Sequence, residues 1–159
     1  MEVTLNHSLV KEKCYKPITF PHPLLRQRSI ETPLDIKLVE NLRNTLDEYN
    51  CAGISAVQIG FLYRVMIIQT NVATRKEVQV ISNPKIIRVS EDTEIMAEGC
   101  LSVPGFTKKI ERPTSVIIEH DLISGNTCIG RIREVLKGME ARIFFHEYDH
   151  FEGYLINDL

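Results

Sequence analysis

The stretch FFHEYDHFEG, residues 144–153, constrains this chain more than any other. His146 and His150 are four residues apart, so on a helix they stand one turn apart and can aim both imidazoles at one point. A tetrahedral metal can take two of its ligands that way. Glu147 is rotated by about 100° from His146, which sets a carboxylate beside such an ion without making it a ligand. One helical turn thus carries two ligands and a general base. With five His in the chain, shuffling its residues would produce HExxH on the order of one time in a hundred. Met139 and Ile143 precede the histidines in an i, i+4, i+7, i+11 pattern, so the pair continues an apolar stripe and faces the interior. Two satisfied core histidines are the alternative reading of the motif alone.

A catalytic site of this kind needs a third protein ligand. Downstream of His150 stand only Glu152, too close to fold back, and Asp158, next to the last residue. The third ligand is therefore expected upstream. AEGCLSVPG, residues 97–105, offers Cys100, whose thiolate would complete a Cys-His-His set. Taken alone, a lone reduced cysteine reads more often as a small buried apolar residue. Glu98 beside it and the Leu101 backbone N–H add weight to the ligand reading. Arg112, just before Pro113, either pairs with Glu98 or faces solvent. Cys14, Cys51, Cys100 and Cys128 show no CxxC spacing, so any bound metal has a mixed ligand set.

The rest of the chain predicts an α+β fold, with mostly antiparallel sheet packed around a central HExxH helix and one N-terminal amphipathic helix. The first 30 residues, with Pro17, Pro21 and Pro23, read as an extended arm. Thr32-Pro33 with Asp35 looks like a helix start, and Val39, Leu42, Leu46 and Tyr49 recur at helical spacing, so a helix is predicted over 33–49. RVMIIQT and VQVISNPKIIRVS read as strands, the second broken at Pro84. TSVIIEHDL and CIGRIREV flank Ser124-Gly125-Asn126 as a hairpin, and a second helix is predicted over 137–151, stopped near Gly153. At 159 residues the chain suits one domain, 1–159. A net charge of −2 gives no field that favours nucleic acid or an anionic membrane, and no apolar run reaches a span of about 20 residues. The N-terminus lacks a secretory core, which points to a cytoplasmic protein with reduced cysteines.

Three stretches together, CAGISAVQ (51–58), EGCLS (98–102) and HEYDH (146–150), resemble the three ordered motifs of the peptide deformylases, GxGxAAxQ, EGCLS and HExxH. HPLLRQRS near the start and SNPKII extend the resemblance over most of the chain. Cys51 stands at the usual first glycine, Ser55 at the first alanine, and Phe145 where Gln commonly precedes HExxH. Many bacterial members continue as a C-terminal helix, which this sequence lacks, so a single domain without that extension is expected. The resemblance implies removal of the formyl group from the N-terminal methionine of new polypeptides, releasing formate. It implies Cys100, His146 and His150 as metal ligands, Glu147 as base and then acid, and Gln58 with the Leu101 N–H as oxyanion donors. Gly53 would admit the substrate backbone, although it also reads as a helix C-cap. Met139 and Ile143 would line the methionine pocket or simply pack the core. The ion expected is Fe(II), with Zn, Ni or Co accepted by the isolated protein. The expected partners are N-formylmethionyl nascent chains, with transient proximity to the ribosome, no direct nucleic acid, no membrane, and a monomeric state. An HExxH metallopeptidase with another third ligand and a non-catalytic peptide-binding module with a structural metal are the rival readings.

Overall fold

The computed structural model describes residues 14–70 and 77–159, so the first part of the expected arm lies outside the described residues. Helix α1 spans Ile36–Tyr49 and helix α2 Met139–Phe151. Between them run strands β1 (Gly53–Ser55), β2 (Val65–Gln69), β3 (Val78–Ser82), β4 (Lys85–Val89), β5 (Thr93–Cys100), β6 (Val103–Pro113), β7 (Ser115–Ser124) and β8 (Thr127–Lys137). All pair antiparallel, in three sheets ordered β1-β2-β3, β4-β7-β8 and β5-β6. The α+β class follows.

The run Val65-Met66-Ile67-Ile68 is apolar without a break because both faces of its strand are covered. Val65 and Ile67 belong to the cluster with Leu38, Leu42 and Leu46 of α1, whereas Met66 and Ile68 pack with Ile143, Phe144 and Phe151 of α2. Alternate side chains of a strand point to opposite faces, so β2 is the middle layer between the two helices. Each fully buried side chain of this kind contributes about 1.5–3 kcal/mol relative to exposure.

Helix α1 begins later than Thr32-Pro33 suggested. Asp35 is the N-cap, and its carboxylate accepts from the Lys37 and Leu38 N–H groups at 2.9 and 3.3 Å. The helix ends at Asn50, whose left-handed backbone (φ 50°) closes it, so Gly53 is not the cap but opens β1. Pro84 separates β3 from β4, which lie in different sheets, and the hairpin turn at Gly125 joins β7 to β8. Gly138 starts α2 and Gly153 follows its end at φ 80°. The backbone bonds that stitch the arm down include Ile18 N–H to Gln58 O at 2.8 Å and Phe20 N–H to Ser102 O at 2.7 Å.

Candidate metal centre

Three segments far apart in sequence meet at one cavity of about 180 Å³. β1 and the 3-10 turn after it bring Gly53 and Gln58, the turn from β5 to β6 brings Glu98, Cys100 and Leu101, and α2 brings Met139, Ile143, His146 and Glu147. His150 closes the set from the next helical turn, 1% exposed.

Cys100, His146 and His150 each offer one ligand atom, and these atoms lie within 4.8 Å of one another. Cys100 Sγ is 3.5 Å from His150 Nε2, and the two imidazole centroids are 5.3 Å apart. A thiolate and two imidazoles at such separations fit a tetrahedral ion with bonds of roughly 2.0–2.3 Å. Glu98 Oε1 sits 2.9 Å from His146 Nδ1, which leaves Nε2 of that ring for the ion. Such a carboxylate partner fixes the tautomer and the ring plane of a metal-binding histidine. The donor set therefore fits a bound divalent metal.

Glu98 is itself held from both sides. Arg112 Nη2 donates to Oε1 at 2.9 Å and Nε to Oε2 at 3.0 Å, while Arg142 Nη1 donates to Oε2 at 2.7 Å. Arg142 also donates to the Ile110 carbonyl at 2.9 Å and to that of Glu94, which pins the β5-β6 hairpin to α2. Arg112 reaches Asp149 at 2.6 Å. Burial raises the Glu98 pKa, but the His146 and Arg112 contacts outweigh it and hold the carboxyl down at about 2. Burial would lower the His146 pKa, yet its contacts with Cys100 and Glu98 hold it up at about 10. His150 is pushed well below the ordinary histidine value by burial and then by the charges of His146 and Arg112.

Glu147, 3% exposed, has its carboxyl pushed up to about 6 by burial, against the lowering effects of His146 and a hydrogen bond from Ser55. A Cβ on Gly53 would fall 2.7 Å from Ile143 Cγ2 and 3.0 Å from Glu147 Oε1. The close approach that glycine permits here is that of α2 itself. Gln58 is fixed at both ends, with Oε1 accepting from Ser55 N–H at 3.0 Å and Nε2 donating to Ser102 Oγ at 3.1 Å. Its other amide proton reaches toward Cys100 Sγ at 3.8 Å. Leu101 lies in the β5-β6 turn on the cavity wall. Ile143 is buried beside it, whereas Met139 is 40% exposed at the lip, so core packing does not account for Met139. Cys51 lines the same cavity, its thiol pushed up to about 12 by burial and by the charge of Glu147.

Sequence reasoning missed Arg142, Asp149, Ser102 and the partner of Ser55. Arg142 carried one signal: a charged residue one turn before His146, next to the apolar Ile143-Phe144-Phe145 run of a helix read as interior. The others act across segments that no local pattern connects.

Residues 15–159 match the family model described as polypeptide deformylase. A peptide deformylase of Finegoldia magna is 38% identical over 140 residues, covering 86% of this chain and 83% of the relative. The crystal structure of peptide deformylase from Thermotoga maritima superposes with a TM-score of 0.80 at 31% identity, over 92% of this chain and 97% of that one. The Met-Ala-Ser-bound structure of a class I type b peptide deformylase from Acinetobacter baumannii gives 0.83 at 26% identity, over 92% and 98%.

Proposed function

This chain belongs to the polypeptide deformylase family, and on that premise we propose which of its residues carry the reaction. It is a metal-dependent hydrolase that removes the N-terminal formyl group of newly made polypeptides. The observation supporting the residue assignment is the convergence of Cys100, His146 and His150 beside Glu147 at one cavity. In this assignment those three side chains hold one divalent ion. When bound, the ion supplies Lewis-acid chemistry that makes water a nucleophile near neutral pH.

Glu147 takes the proton released as oxygen attacks the formyl carbon. It then returns that proton to the amine nitrogen as the C–N bond breaks and formate leaves. A carboxyl lifted to about 6 suits a group that must both accept and give a proton. The Gln58 amide N–H that reaches toward Cys100 Sγ and the Leu101 backbone N–H donate to the oxygen that gains charge in the tetrahedral state. Met139 and Ile143 wall the methionine side chain and Gly53 admits the substrate backbone, while Glu98 and Arg112 hold His146 in line. Fe(II) is the assigned native ion, with Zn, Ni or Co as substitutes, because a mixed thiolate and imidazole set accepts all four. The chain acts in the cytoplasm as a monomer, transiently near the ribosome; among the described residues no helix is long and apolar enough to cross a membrane.

The test is formate release from formyl-Met-Ala-Ser by anaerobically purified, metal-loaded protein. Turnover by the wild type, with a loss of at least about a hundredfold in Glu147→Ala, is expected for removal of a general base. Turnover that survives in Glu147→Ala would remove Glu147 from the mechanism. Absence of formate from the loaded wild type would overturn the whole assignment.

A further inference from the structure

Ser55 stands where the resembled motif has alanine, and its side chain is fully buried against α2. Its Oγ lies 2.9 Å from the Glu147 main-chain carbonyl O and 2.9 Å from Glu147 Oε2. A hydroxyl has one proton and can donate to only one of these at a time. The carbonyl lies inside α2, where the i+4 amide is its regular donor. Among the described residues, Ser55 is the one hydrogen-bond donor to the carboxylate. The charged oxygen is also the stronger acceptor, so the Ser55 proton belongs on Oε2.

Oε1 is placed differently. It lies 3.0 Å from the position a Cβ would take on Gly53, at the cavity wall. The two carboxylate oxygens are therefore not equivalent: Oε2 is tied by Ser55, whereas among the described residues no donor holds Oε1.

We propose that Ser55 is a positioning residue for deformylation, holding Glu147 Oε2 so that the proton taken and returned in the reaction travels on Oε1. This rests on Glu147 being the base, as assigned above. When Oε1 carries the proton, the Ser55 bond to Oε2 persists, so the carboxyl does not rotate between accepting the proton and delivering it. Without the hydroxyl, the carboxyl turns about its terminal torsion, which is broad for glutamate, and Oε1 loses its fixed aim.

The test compares metal-loaded wild type, Ser55→Ala, Ser55→Thr and Glu147→Gln as full chains. Ser55→Ala is expected to lower kcat about tenfold or more, as for loss of one charge-assisted hydrogen bond. KM and metal content should stay at wild-type values, and Ser55→Thr should restore most of kcat by restoring the hydroxyl. The Glu147 carboxylate stretch, isolated by infrared difference between carbon-13-glutamate-labelled wild type and Glu147→Gln, should shift in Ser55→Ala. An unshifted band, or kcat unchanged in Ser55→Ala, would overturn the proposal while leaving the deformylase assignment intact. A loss that appears in KM or metal content instead would overturn it too, by making Ser55 a packing residue. If Ser55→Thr proves too large to fold, the band and the kcat of Ser55→Ala still decide.

Discussion

At position 53 a single methyl group separates a working site from a crowded one. A Cβ there would meet Ile143 Cγ2 at 2.7 Å and Glu147 Oε1 at 3.0 Å. Ile143 is β-branched and stiff at χ1, so it yields poorly. Gly53→Ala should cost about 1–3 kcal/mol of stability, as overpacking does. It should also lower kcat by displacing the Glu147 carboxylate. Urea unfolding and formate assays check both, and a variant that matches wild type in each would show that α2 moves aside freely. The same residue illustrates what was legible. That 53 must be glycine could be read from its motif; that helix α2 is what demands it could not, because the contact spans most of the chain. The two histidines and Glu147 were readable for the opposite reason, since helical periodicity alone fixes their relation.

Elements were legible where one periodicity ran uninterrupted. Helix α2 and the β7-β8 hairpin have such patterns, and their ends carry glycines. The β5-β6 hairpin does not: β5 is rich in charged and small residues, and β6 contains Pro104 and Gly105. Proline is tolerated there because the two strands form a sheet with only edges. The β7-β8 pair also carries a pH-dependent contact. His120 Nε2 lies 2.9 Å from Glu134 Oε1, and Gln79 of β3 donates to the same oxygen. The hydrogen bond with His120 outweighs desolvation and, with the Gln79 bond, lowers the Glu134 pKa below its usual 4.5. A carboxylate with a lowered folded pKa contributes stability above the unfolded value, and that contribution is lost as pH falls through the folded one. Glu134→Gln should therefore destabilise by about 1 kcal/mol at neutral pH, a figure kept small because the group is partly exposed. The difference from wild type should close as pH falls below 4.5. Thermal midpoints of both proteins across that range are the check, and a gap that stays constant with pH would exclude the carboxylate as its source.

For the whole molecule, the candidate centre is a junction. Its candidate ligands come from the β5-β6 hairpin and from α2, and the arm is tied to both Gln58 and Ser102. An unfolded chain presents no such arrangement, so ion binding stabilises the folded state by linkage. Removing the ion with a chelator should lower the thermal midpoint, with a stabilisation of about 4 kcal/mol regained at a free ion concentration a thousandfold above Kd. Calorimetry with and without chelator measures it, and equal midpoints would mean that the site adds nothing to the fold. The class of the fold was readable from the order of helices and strands. The three-layer placement of β2 between α1 and α2 was not, because an unbroken apolar run does not say what covers each face.

The Glu98 cluster also bears on how this protein can change over generations. Replacing Arg142, 5% exposed, leaves a buried carboxylate short of a donor, and replacing Glu98 leaves two buried guanidiniums without their shared anion. Either step alone is costly, since it removes a buried charge-assisted contact and leaves its partner less well compensated. A substitution at 98, 112 or 142 is therefore expected to change the cost of substituting the other two. The same holds for anyone grafting this metal helix onto another scaffold: the histidines travel with their arginines, or they arrive without a fixed orientation.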